Sequence, residues 1–172
     1  RATGDLNGDG FADAVIGFPD TNVDAFSDGA VMVYAGGEDG LGTVPVQILG
    51  GGSGRDAQAG RGLAVADFDG DGQTDLAIGI LNDDEVGGNA GAVHIHAGVA
   101  DGFFTEAPTQ RLFAVRGGDQ LGFHVVACDF NGDGFMDLAA NAQRYEDREN
   151  MPNNGDVGGL FVYLGGAEGL NE

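Results

Sequence analysis

Three nine-residue segments place oxygen-bearing side chains at matched positions one, three, five and nine. They are Asp5-Leu6-Asn7-Gly8-Asp9-Gly10-Phe11-Ala12-Asp13, Asp67-Phe68-Asp69-Gly70-Asp71-Gly72-Gln73-Thr74-Asp75 and Asp129-Phe130-Asn131-Gly132-Asp133-Gly134-Phe135-Met136-Asp137. The backbone carbonyls of Phe11, Gln73 and Phe135, at position seven, add a further candidate donor to each. Such hard-oxygen shells suit Ca2+, which takes roughly six to eight oxygen ligands, better than Mg2+, which keeps most of its waters. Gly10, Gly72 and Gly134 fill position six, where the chain must turn sharply. One Asp/Asn/Gly-rich segment would pass as an ordinary turn. Turn formation does not require carboxylates in register three times over, and the expectation is three Ca2+ sites.

The segments begin at residues 5, 67 and 129, a constant step of 62 residues. A fixed period of this size means one supersecondary unit used three times. An EF-hand would need Glu at position twelve and flanking helices, but those positions hold Ile16, Ile78 and Ala140. A nonapeptide β-helix would repeat its Gly and Asp about every nine residues, which this chain does not.

Short apolar runs follow each segment: Ala14-Val15-Ile16-Gly17, Leu76-Ala77-Ile78-Gly79 and Leu138-Ala139-Ala140. They are too short for helices and read as buried strands. Further strands are signalled at residues 29–36, 91–98 and 159–165, then from Pro45-Val46-Gln47 and Pro108-Thr109-Gln110. Between these come turns ending in Gly40-Leu41, Gly102-Phe103 and Gly169-Leu170. Last runs lead into the acidic segments at residues 62–66 and 124–128. Four short strands per unit make an antiparallel blade. The fold class expected is all-β: about three consecutive β-propeller blades, with units at residues 1–53, 54–115 and 116–172, forming an incomplete propeller or a fragment of a larger one.

These units resemble FG-GAP repeats, the calcium-binding propeller repeats of integrin alpha subunits and many bacterial surface proteins. Leu121-Gly122-Phe123 and Ala59-Gly60 stand at the family's Phe-Gly, and Gly17-Phe18-Pro19 at its Gly-Ala-Pro. Gly79-Ile80-Leu81 and Asn141-Ala142-Gln143 depart from the second pattern. The resemblance implies calcium loops on one propeller face and a ligand-binding face opposite, built from the connections 18–28, 80–90 and 143–157. The third connection is the longest and carries Arg144, Tyr145, Glu146, Asp147, Arg148 and Glu149, suited to a polar partner.

Seven Arg, no Lys and 28 acidic residues give a net charge of −21. That charge makes nucleic acid and anionic membrane poor partners, and no apolar run is long enough to span a membrane. The single Cys128 allows no internal disulfide and reads as a small buried residue ahead of the third loop. His94 and His96 share one strand face, where packing against a neighbouring blade is the plainer account than zinc. His124 has no partner nearby in sequence, and no catalytic triad can be assembled. Catalytic residues: none are expected.

The expected function is a non-catalytic, calcium-stabilised extracellular or cell-surface module for adhesion or assembly, taking a protein or glycan ligand on the loop face. Propellers need at least about four blades to close, so open blade edges invite self-association. The alternative is a propeller accompanying an extracellular hydrolase or polysaccharide-active enzyme whose catalytic part lies elsewhere.

Overall fold

The computed structural model describes residues 1–23, 27–51, 56–100, 102–146 and 155–171. Among these residues eleven strands form in chain order: β1 (Ala2–Gly4), β2 (Asp13–Phe18), β3 (Ala30–Tyr34), β4 (Gln47–Gly50), β5 (Ala59–Ala66), β6 (Asp75–Ile80), β7 (Ala92–His96), β8 (Gln110–Phe113), β9 (Leu121–Cys128), β10 (Asp137–Ala142) and β11 (Gly159–Tyr163). No helix occurs among the described residues. Sequential neighbours pair antiparallel into three sheets, β1-β2-β3-β4, β5-β6-β7-β8 and β9-β10-β11. These are consecutive blades of an incomplete β-propeller.

Each interior layer lies between two sheets. Leu76, Ile78 and Ile80 of β6 pack with Val15, Val31, Val33 and Leu49 of the first sheet. On the other side Ala77, Val93, Ile95 and Leu112 pack with Leu121, Leu138, Ala140 and Tyr163 of the third. The middle sheet is therefore covered on both faces, and every residue of β6 and β7 is buried. That explains why β6 runs apolar without alternation after Asp75.

Main chain meets main chain at the seams. A Cβ on Gly17 would stand 2.1 Å from the Gly60 carbonyl oxygen, and one on Gly79 would stand 1.9 Å from that of Gly122. Gly60 and Gly122 sit at φ of 91° and 90°, in the left-handed region that favours glycine. Parallel bridges Gly29↔Ala59 and Gly91↔Leu121 continue the seams. In the third sheet Asn141 holds the place of Gly17 and Gly79, and its Oδ1 accepts the His124 N–H at 2.7 Å.

Two glutamines clamp each blade to the next. Gln47 Nε2 donates to the Phe104 carbonyl at 2.7 Å while its Oε1 accepts the Phe104 N–H at 3.2 Å. Gln110 repeats the pair on Leu170, at 2.5 and 3.1 Å. The strands thus begin at the glutamines, not at Pro45 and Pro108, whose rings leave no N–H for the ladder. The second turn also holds one more residue than the spacing suggests: Phe104, not Phe103, takes the place of Leu170, each being 3 % exposed.

Cys128 corrects an expectation, because its side chain is exposed and not buried. It lies on the outward face of the third sheet with Val126, Val162 and Leu164, which no further sheet covers among the described residues. Ala66, at the same place in the second sheet, is buried because the third sheet packs over that layer. His94 and His96 are buried, as expected, on the β7 face shared with Ile78 and Leu76.

Candidate metal centre

The acidic segments link β1 to β2, β5 to β6 and β9 to β10, at one end of the sheets. The connections from β2 to β3, β6 to β7 and β10 to β11 lie at the other end, since neighbouring strands are antiparallel. Within each loop the same hydrogen bonds recur. The position-one carboxylate caps the turn: Asp5 accepts Gly8 N–H and Gly10 N–H at 2.9 and 3.0 Å. Asp67 does so for Gly70 and Gly72 at 2.7 and 2.9 Å, and Asp129 for Gly132 and Gly134 at 2.6 and 3.0 Å.

Positions three and five hold the next amides. Asn7, Asp69 and Asn131 each accept the N–H of position five, at 3.0, 3.1 and 2.8 Å. Asp9, Asp71 and Asp133 accept that of Phe11, Gln73 and Phe135, at 2.9, 2.7 and 2.9 Å. These bonds turn the polar tips of one loop toward a common point. In the second loop, carboxylate oxygens of Asp67, Asp69 and Asp71 all lie within 4.8 Å of one another. In the first and third, an amide tempers the charge, with Asn7 and Asn131 Nδ2 donating to Asp9 and Asp133 Oδ2 at 3.0 and 2.8 Å.

Position nine has a different environment. Asp13, Asp75 and Asp137 are 1 %, 2 % and 0 % exposed. One oxygen of each accepts the position-two N–H (Leu6, Phe68, Phe130) at 2.8, 2.9 and 2.8 Å. The other accepts the N–H of Gly36, Gly98 or Gly165, just past β3, β7 and β11, at 2.8, 2.9 and 2.9 Å. A Cβ on these glycines would strike the position-eight carbonyl oxygens at 2.2, 2.6 and 2.3 Å. Position nine therefore staples loop to sheet. Burial pushes the Asp75 carboxyl above its ordinary value, its bonds from Gly98 and Phe68 pull it back, and Asp69 and Asp71 push it further up.

The donor set fits a divalent cation. Positions one, three and five offer like charges at close range, and the three ion pairs among the described residues, Arg61–Asp20, Arg111–Glu85 and Arg144–Asp156, leave all loop acids without a basic partner. Carboxylates so placed repel one another unless a cation lies between them. Each carboxylate oxygen that accepts one N–H retains a second lone pair for an ion. The sequence pattern singles out the loop side chains that make these hydrogen bonds and does not single out the glycines that bind position nine. Their signal was present as the glycine closing each strand, Gly36, Gly98 and Gly165.

A family model described as FG-GAP repeat matches residues 59–96 and 121–163, which cover most of the second and third sheets. This chain carries FG-GAP repeats. It is 30 % identical to integrin alpha-PS2 of Drosophila melanogaster over 112 residues, 64 % of the chain and 7 % of that protein. It is 31 % identical to phosphatidylinositol-glycan-specific phospholipase D of Mus musculus over 150 residues, 80 % of the chain and 17 % of that protein. The same enzyme of Rattus norvegicus is 30 % identical over 152 residues, 82 % of the chain and 18 % of that protein. The chain spans less than a fifth of the length of these relatives. Though the family match begins at residue 59, the first sheet repeats the loop hydrogen bonds of the other FG-GAP units.

At the far end of the FG-GAP blades, Arg144 Nε donates to Asp156 at 2.8 Å, and Arg116 Nη1 donates to the Glu146 carbonyl at 3.1 Å. Tyr145 is not presented outward: its ring meets Phe161 edge-on at 5.4 Å and packs on the second core layer. Asp147, Arg148 and Glu149 lie outside the described residues.

Proposed function

We propose that this chain is a non-catalytic recognition module of an extracellular or cell-surface protein, with three Ca2+ ions holding its blades. The observation that carries the reading is the convergence of Asp67, Asp69 and Asp71 within 4.8 Å, on a hydrogen-bond frame repeated in all three loops. Extracellular calcium modules bind with Kd of about 10^-4 to 10^-3 M, so loops of this class fill where calcium is millimolar. The likeness to an integrin alpha chain supports an adhesive or assembly role.

Recognition belongs to the end opposite the calcium loops. There a polar cleft of about 200 Å3 is lined by Arg116, Asp119, Arg144, Glu146 and Asp156, chemistry suited to a polar protein or glycan. Loops on a rigid scaffold are the usual carriers of binding. Self-association is the second partner mode, through the outward face of the third sheet, where Val126, Leu160 and Val162 are 54 %, 69 % and 44 % exposed. The charge of −21 argues against nucleic acid. No helix among the described residues is long and apolar enough to cross a membrane.

The match to phosphatidylinositol-glycan-specific phospholipase D over 80 % of the chain supports a second reading, in which these blades accompany a catalytic domain. Equilibrium dialysis against Ca2+ tests the metal reading common to both. Uptake of three ions per chain is expected, and no uptake at millimolar calcium would overturn it.

A further inference from the structure

The three loops are not equally placed toward one another. A Cβ on Gly70, between Asp69 and Asp71 in the second loop, would stand 2.7 Å from Phe135 Cε1. Phe135 is position seven of the third loop, so the residue whose carbonyl is a candidate ligand there lays its ring on the ligand run of the second. The corresponding glycine of the first loop, Gly8, would meet nothing within 4 Å. The residue that could reach it from the second loop is Gln73, where the third loop has Phe135.

Hydrogen bonds follow the same division. Asp137 Oδ1 accepts the Gly165 N–H at 2.9 Å; the next residue, Gly166, donates its N–H to the Phe68 carbonyl at 3.3 Å. The Phe68 N–H in turn donates to Asp75 Oδ2 at 2.9 Å. Position nine of the third loop is thereby joined to position nine of the second through two adjacent glycines and one buried phenylalanine. Among the described backbone hydrogen bonds, none joins the second sheet to the Leu6 carbonyl, which holds the place of the Phe68 carbonyl in the first loop.

We propose that the second and third cation sites load cooperatively while the first loads independently. The proposal rests on the calcium reading given above. An ion in the third loop fixes the Phe135 backbone, and with it the ring that confines Gly70 and the Gly165-Gly166 link to Phe68. The second loop then has less disorder to lose when it closes on its own ion. Two sites that share the cost of ordering bind with positive coupling, and the coupling is reciprocal.

Calorimetric titration with Ca2+ of the 172-residue chain and three variants tests this. Asp9→Ala removes a ligand from the first site and is expected to leave two sites that fill together, with unchanged constants. Asp133→Ala disables the third site and is expected to weaken the second at least about fivefold, the lower end of ordinary coupling, while sparing the first. Phe135→Gln installs the residue the second loop already tolerates as Gln73; it is expected to keep three sites and to reduce the coupling of the second and third, leaving only the part carried by the backbone link from Gly166 to Phe68. Three independent constants in the unaltered chain, or a second site that Asp133→Ala leaves unmoved, would overturn the coupling alone. No calcium uptake by the unaltered chain would overturn the metal reading with it.

Discussion

Gly79 lies so close to Gly122 that a Cβ on it would stand 1.9 Å from the Gly122 carbonyl oxygen. The atom in the way is backbone, in a strand that is itself buried at that point, so no rotamer change can make room. Gly79→Ala is expected to destabilise the chain by about 2 kcal/mol or more, the cost of forced overpacking. Gly88→Ala, where a Cβ meets nothing within 4 Å, should stay within about 0.5 kcal/mol. Urea unfolding of the two variants side by side measures the difference, and equal midpoints would show that the glycine contact does not set the seam.

Positions five and nine of each loop should fail differently. Asp137 is fully buried with both oxygens accepting N–H groups from Phe130 and Gly165, so Asp137→Ala leaves two donors without acceptors. A loss of about 2 to 4 kcal/mol is expected whether calcium is present or chelated. Asp71 is exposed and its backbone partner Gln73 can turn to water. Asp71→Ala should therefore cost stability only when calcium is present. Thermal unfolding of both variants with and without chelator separates the roles; a position-five loss that persists in chelator would contradict this division.

Acid should weaken the seam between the first two sheets through His94. Burial lowers its pKa from 6.5 to about 4, with Asp83 raising it and Arg111 and His96 lowering it. Its Nε2 is buried without a hydrogen-bond partner. Above pH 6.5 the ring is neutral folded or unfolded, and no stability is lost. Between pH 6.5 and about 4 only the unfolded chain takes up the proton, so stability falls across that window. The loss approaches 2 to 3 kcal/mol on the order of magnitude that such a shift carries. His94→Met, the residue the first sheet holds as Met32, should shrink the acid loss when measured in chelator, leaving the part contributed by His96, whose pKa burial also lowers. An unchanged acid profile would remove His94 from the account.

The loops and most strands were legible because each is a local pattern: carboxylates at fixed offsets, and apolar runs bounded by glycine. Repetition at 62 residues made a weak signal firm. What one unit cannot show is what the next unit does to it. Gln47 and Gln110 look like ordinary strand residues until Phe104 and Leu170 of the following blade arrive beside them. Gly36, Gly98 and Gly165 read as strand ends, and only the folded loop shows their N–H groups on buried carboxylates. Cys128 stands where the other units have the small residues Gly4 and Ala66 and so reads as buried; Ala66 is covered by the third sheet, whereas Cys128 lies on that sheet's outward face and is exposed.

The central claim is that calcium in the three aspartate loops holds the blades. Differential scanning calorimetry of the 172-residue chain in millimolar calcium and in excess chelator tests it most directly. Each site contributes about 1 kcal/mol by mass action at the affinities usual for extracellular modules. For a chain of this size, three such sites raise the melting temperature by roughly 6 to 12 °C. A melting temperature that rises in that range on adding calcium is the predicted result, and one that stays within about 1 °C in both buffers would contradict the account.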